Sequence, residues 1–164
     1  MGVIIVANLL EVRKYNKKDY KSVVHYSLPA EQALYTSMPI EVINTFLKDT
    51  YNQPFVICSG ENIVGCFAFY TEASGNIYTS NQNAILLKSF SIDSRHQKKG
   101  YAYQALRMLP QIAAKFYPAK DEIILTVHET NEPAISLYKK AGFQYRGKNY
   151  NGEYGIEMIF HMGL

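Results

Sequence analysis

The chain has 164 residues, of which 48% are hydrophobic and 19% charged, and its Lys and Arg exceed Asp and Glu by a formal +3. A chain of this size buries roughly 70% of the surface its unfolded form exposes, so a single domain over 1–164 is expected and extended disorder is not. The small charge excess gives no basis for a nucleic-acid surface, two cysteines build no disulfide framework, and the apolar run 3–10, broken by Asn8, is neither signal peptide nor membrane anchor.

Cys58 and Cys66 are therefore expected as free thiols in a reducing, cytoplasmic setting. Residues 9–15 read as a first strand, and Asn16 or Asp19 caps a helix carrying Val23, Val24 and Leu28 that Pro29 ends. A second helix over 39–48 places Ile40, Ile43 and Leu47 on one face. Runs 53–58 and 63–70 are apolar, aromatic and β-branched around Ser59, Gly60, Glu61 and Asn62, which predicts a β-hairpin. The polar stretch 71–83 reads as loop, and strand character resumes over 84–92.

From Gly100, the positions Ala102, Ala105, Leu106, Leu109, Ile112, Ala113 and Phe116 recur at helical spacing. Pro110 falls inside that pattern and predicts a kink or break. The run 122–127 suits a strand covered on both faces, and strand–helix–strand with short links means two parallel strands. Asn131 then caps a helix with Pro133 in its first turn and Gly142 at its end. Segments 143–150 and 153–162 close as a hairpin turning over Asn151-Gly152.

The stretch between the strand at 84–92 and the helix from Gly100 is suited to hold phosphate. A helix start offers N–H groups without intrahelical partners and the positive end of the helix dipole. Lys98 and Lys99 add full charges, and Gly100 lets an anion approach the backbone. The spacing is not that of a Walker loop. No HExxH or CxxC occurs, and His25, His96, His128 and His161 lack metal-ligand spacing, so no metal is expected.

Gln97-Lys98-Lys99-Gly100-Tyr101-Ala102, followed by Asn131-Glu132-Pro133-Ala134 and by Leu137-Tyr138 through Gly142-Phe143, resembles motifs A and B of the GNAT superfamily of acyl-CoA N-acetyltransferases. The resemblance runs from about Leu86 to Phe143, and the flanking strands suit the same layout over nearly the whole chain. It implies an α/β fold with a central mixed sheet of about seven strands, splayed between strands 4 and 5 and flanked by about four helices. It implies acetyl-CoA in the opening, with pantetheine along Phe90, Ser91 and Ile92 and pyrophosphate on the N–H groups of Gln97, Lys98, Lys99, Gly100, Tyr101 and Ala102. Asn131 matches the asparagine that bonds pantetheine, Lys140 falls among the cofactor contacts, and Tyr138 matches the general acid for the departing thiolate.

An alkylammonium is only about 0.1% deprotonated near pH 7, so transfer to an amine needs a proton acceptor as well. Several members of the superfamily carry a glutamate where this chain has Thr126, which cannot serve. His128 or Glu129 is the expected base, with Glu31, Glu41 and Glu72 as looser candidates. The N-terminal tyrosines, with Glu31 and Tyr35 foremost, are expected to shape the acceptor site. The expectation is direct acetyl transfer to a primary amine of a small molecule, polyamine-like or other, or of a protein, by a monomer or homodimer. A catalytically silent acyl-CoA-binding domain is the alternative, kept open by Thr126.

Overall fold

A computed structural model describes residues 9–164. Most of the apolar run 3–10 lies outside the described residues. Seven strands form one sheet in the order β1-β2-β3-β4-β5-β7-β6. These are β1 (Leu10–Lys14), β2 (Asn52–Ser59), β3 (Asn62–Tyr70), β4 (Ala84–Ile92), β5 (Glu122–His128), β6 (Gln144–Gly152) and β7 (Gly155–Gly163). Only β4 and β5 run parallel; the other neighbours are antiparallel.

Alternation along the strands sorts side chains to two faces. Ile85, Leu87, Ile123, Leu125, Val127 and Phe160 point to the main core with α4 (Tyr101–Phe116), against which α5 (Glu132–Ala141) packs. Phe55, Phe67 and Phe69 fill it with ring pairs 5.1 to 5.4 Å apart. On the opposite face lie Ala84, Leu86, Ile124 and Ile159 under Tyr70, Tyr78 and Tyr150. There α1 (Tyr20–Val24) packs on β3 and α3 (Pro39–Lys48) on β2 and β3.

Four expectations change. Pro110 does not break α4, which is continuous from Tyr101 to Phe116. An interior proline costs about 3 kcal/mol, but Ala105, Leu106, Leu109 and Ala113 are fully buried around it, and one Leu alone contributes roughly 1.5–3 kcal/mol. Secondly, α1 ends at Val24 rather than at Pro29, because Tyr26 is buried against Ser91 and Ser27 is tied to the end of β4. The chain then forms α2 (Ala30–Ala33), which brings the described α-helices to five.

Thirdly, α3 buries Val42 and Ile43 while Leu47 is 73% exposed, since only the first part of the helix overlies the sheet. Fourthly, the last hairpin turns at Glu153-Tyr154, two residues later than expected, with Asn151 paired to Ile156 and Gly152 to Gly155. The contact with β5 fixes that position. The Tyr154 carbonyl lies 3.0 Å from His128 Nε2, and a Cβ on Gly155 (φ +125°) would meet the same nitrogen at 2.6 Å.

Candidate active site

The two parallel strands pair only from Ala84–Glu122 to Leu86–Ile124. Beyond that they separate, leaving Leu87 to Ile92 and Leu125 to His128 facing one another without a shared ladder. Backbone N–H and C=O groups left this way accept an extended ligand as a strand would be accepted. A bulge shapes the β4 edge of the opening. Cys66 faces Ser91 while Ala68 faces Lys88, so β4 holds one extra residue, and Ser89 takes φ 54° to fit it. Gly65 lets β3 close on this stretch, for a Cβ there would sit 2.8 Å from the Ser91 carbonyl.

The bulge also decides which N–H groups face the opening. Asp93 N–H donates to Val64 of β3 at 2.8 Å, so by alternation Ser91 also directs its main chain to β3, and Phe90 and Ile92 direct theirs outward. Ser91 is therefore placed differently from the expectation: its hydroxyl bonds the buried Tyr26 hydroxyl at 2.8 Å. Phe90 turns its ring to the main core, 6.0 Å from Phe67.

At the mouth, Asp93 is fully buried and ends β4. Its carboxylate accepts from the Arg95 guanidinium at 2.7 and 2.9 Å, from Arg95 N–H at 2.9 Å and from Ser27 N–H at 3.1 Å. Burial alone would raise this carboxyl, but those donors outweigh it and hold it below the usual range. Arg95 also donates to the His25 carbonyl. The Gln97 side chain bonds the Ile92 carbonyl at 2.8 Å and exchanges hydrogen bonds with Gln32 of α2, so it braces the loop and leaves only its main chain for a ligand.

The backbone then turns through positive φ at Lys98 (62°) and Gly100 (82°), the kind of path whose successive N–H groups make an anion-binding concavity. The first helical bond of α4 runs from Gln104 N–H to the Gly100 carbonyl, and no side chain caps Gly100. Among the described residues, the N–H groups of Lys98, Lys99, Gly100, Tyr101, Ala102 and Tyr103 have no acceptor. Lys98 and Lys99 are exposed and make no ion pair there. Tyr101 sends its hydroxyl to Ser59 at 3.3 Å, and Lys140 lies 4.7 Å over the Tyr103 ring, drawing α5 to the start of α4.

Asn131 caps α5 through a long 3.4 Å bond to Ala134 N–H, and its amide nitrogen has no partner among the described residues. Tyr138 lies seven residues further along, about two helical turns on, with its ring 5.9 Å from Phe143. Its hydroxyl has no hydrogen-bond partner among the described residues and is not sealed from solvent. Burial pushes its pKa up to about 12.

On the opposite face of the sheet, His128 closes the end of β5. A carbonyl can only accept, so the Tyr154 oxygen at 3.0 Å places the hydrogen on Nε2. Nδ1 then accepts from the Thr130 hydroxyl at 2.7 Å and from Thr130 N–H at 3.2 Å. The Thr130 oxygen in turn accepts from the Tyr35 hydroxyl at 3.2 Å, and the Tyr35 ring lies 5.8 Å from the imidazole. No lone pair of His128 is left for an amine to approach directly.

Glu129 and Glu31 are exposed and without side-chain partners among the described residues. Glu41 and Glu72 are bound at helix starts, to Met38 N–H and Ser74 N–H. Cys66 is buried, which pushes its thiol up to about 12. Sequence reasoning missed Asp93 and Thr130, and it expected Tyr26 among the tyrosines that shape the acceptor site rather than on Ser91. Asp93 two residues before Arg95, and Thr130 two after His128, were visible as local side-chain–backbone motifs. Nothing in the sequence joins Tyr26 to Ser91.

Residues 13–143 match the model of the Acetyltransferase (GNAT) family. Over 148 residues, covering 90% of this chain and 92% of the relative, the chain is 32% identical to the uncharacterized N-acetyltransferase YbbJ of Bacillus subtilis (strain 168). It is 37% identical over 95 residues to the spermine/spermidine N(1)-acetyltransferase of the same organism, covering 57% of this chain and 58% of that protein. The crystal structure of the aminoglycoside acetyltransferase AAC(6')-Ib with coenzyme A and kanamycin shares the fold at TM-score 0.77 and 14% identity, over 94% of this chain and 95% of that one. The chain belongs to the acetyltransferase (GNAT) family, and by class it is an N-acetyltransferase.

Among the described residues no helix is long and apolar enough to cross a membrane, and no three His, Cys, Asp or Glu gather as a metal site.

Proposed function

We propose that the protein transfers the acetyl group of acetyl-CoA to the primary amine of a small molecule. The observation that carries this reading is the unpaired opening between β4 and β5 with an anion-binding loop at its mouth. Phe90 and Ile92 offer main-chain hydrogen bonds to pantetheine, Asn131 adds its free amide, and the N–H groups from Lys98 to Tyr103 take the pyrophosphate with Lys98 and Lys99. When bound, acetyl-CoA supplies the thioester carbonyl that the amine attacks. Ile92 N–H stabilises the negative charge that develops on the carbonyl oxygen.

Tyr138 donates its hydroxyl to the departing sulfur. Burial pushes this phenol up to about 12, so Tyr138 meets the sulfur as a neutral hydrogen-bond donor as the thiolate develops.

The proton of the amine leaves on the other face. An amine N–H donating to the Tyr35 oxygen drives the Tyr35 proton to Thr130 and the Thr130 proton to His128 Nδ1, with the Tyr154 carbonyl holding the resulting imidazolium through Nε2–H. His128→Gln and Tyr35→Phe should each lower kcat about a hundredfold, with the KM for acetyl-CoA unchanged. A wild-type kcat in both variants would remove this route.

The reading itself is tested by following CoA thiol release across a panel of amines. Amine-dependent release with a mass-detected N-acetyl product is expected. Release that no amine accelerates would contradict it.

A further inference from the structure

The acceptor face carries a half-buried cavity apart from the opening between β4 and β5. It lies between α3 and the β3–β4 pair, holds about 60 Å³, and is lined by Ser37, Val42, Thr45, Asn52, Lys88 and Ser89 among others. Among the described residues, Lys88 is its only charged lining residue. The ammonium donates to Asn52 Oδ1 at 3.1 Å and lies 5.4 Å over the Tyr70 ring. Asn52 in turn donates to Asp49, but no carboxylate comes within ion-pair distance of Lys88 among the described residues. Burial lowers the Lys88 pKa, and Asp49 only partly opposes it.

An ammonium has three donors and Asn52 uses one. Lys88 is exposed, so its other donors are open to water or a guest in a recess that Ser37 and Ser89 also line, their hydroxyls without partners among the described residues. A cation in this state favours an anionic guest and repels a cationic one. The recess also adjoins the chemistry. Ser89 is the bulged residue of β4, and Ile92 lies three residues further on, about 10 Å along the strand.

We propose that this cavity is a carboxylate subsite of the acceptor site, so that the acceptor is an amino acid or similar small amine bearing an acid group, rather than a polyamine. The inference rests on the acetyl-transfer reading and assigns its substrate class. Lys88 holds the acid group through a charge-assisted hydrogen bond, with Ser37 and Ser89 beside it. Thr45 contributes little, because its hydroxyl is spent on the Glu41 carbonyl.

The test is steady-state kinetics on the full chain with acetyl-CoA and three acceptor sets: amino acids, the corresponding amino-acid amides, and spermidine. Amino acids should be preferred over their amides, and spermidine should be poorest. Lys88→Met should raise the KM for amino acids about tenfold or more, with little change for amides or acetyl-CoA, and Lys88→Arg should recover part of the loss. Thermal melting checks that both variants fold. Equal use of acids and amides, preference for spermidine, or a Lys88→Met defect shared by all acceptors would overturn the subsite. If no amine is turned over, calorimetric titration with an amino acid decides: Lys88-dependent binding upholds the subsite while acetyl transfer falls, and absence of binding overturns the subsite as well.

Discussion

Replacing Tyr138 with Phe is expected to lower kcat by about a hundredfold or more, with the Kd for acetyl-CoA near that of the wild type. The ring packs beside Phe143 and Phe would keep that contact, so the change removes only the hydroxyl. That hydroxyl has no other partner among the described residues, so its loss leaves no buried donor orphaned. Because burial has pushed the phenol up to about 12, the wild-type kcat should show no basic limb from Tyr138 below roughly pH 11. Steady-state kinetics with parallel calorimetry checks both parts, and an unchanged kcat would withdraw the role.

The second large effect is on the loop that holds the phosphates. Asp93→Ala removes the acceptor of four hydrogen bonds and strands Ser27 N–H and Arg95 N–H. Arg95 is 57% exposed and can rehydrate, so the expected cost is about 2–3 kcal/mol rather than the larger penalty of a sealed pair. Acetyl-CoA affinity should fall with it, since the same carboxylate fixes the chain between Ile92 and Gln97.

The pH dependence follows. Asp93 and Asp19 are both held below the ordinary carboxyl range, Asp19 chiefly by the Arg13 guanidinium against the opposing effect of burial. A depressed carboxyl stabilises the fold fully above its unfolded value, near 3.9, and that stability is lost as pH falls through the folded value. Wild-type Tm should therefore drop below about pH 4, and Asp93→Ala should drop less over the same interval. Equal acid sensitivity in the two proteins would mean that Asp93 carries none of it.

Much of this was legible in the chain because local rules and tertiary packing agreed. The β2–β3 hairpin, β4, β5 and the span of α3 follow from periodicity and turn chemistry, and Gly142 takes the positive φ that a helix C-terminus asks of glycine. Where the two disagreed, packing prevailed. Pro110 sits inside a helix because four buried neighbours outweigh one lost hydrogen bond, and the last turn falls at Glu153-Tyr154 because His128 needs the Tyr154 carbonyl.

The candidate site divides in the same way. The phosphate loop, Asn131 and Tyr138 are readable as consecutive motif residues. The chain Tyr35–Thr130–His128 joins residues 95 positions apart, and no spacing in the sequence announces it. Gln97 illustrates a subtler limit: its place in the motif suggests a ligand contact, whereas its side chain ties the loop to Ile92 and Gln32.

The two faces of the sheet thus divide the proposed chemistry, with Tyr138 on the α5 face meeting the sulfur and Tyr35, Thr130 and His128 on the other meeting the amine. Acetyl-CoA in the opening is what joins them. A crystal structure of the full chain with CoA tests this most directly. The account predicts pantetheine along β4 past Leu86, bonded to Phe90, Ile92 and Asn131, with the pyrophosphate on the N–H groups from Lys98 to Tyr103. CoA bound elsewhere, or a β4–β5 ladder closed along its whole length with CoA present, would contradict it.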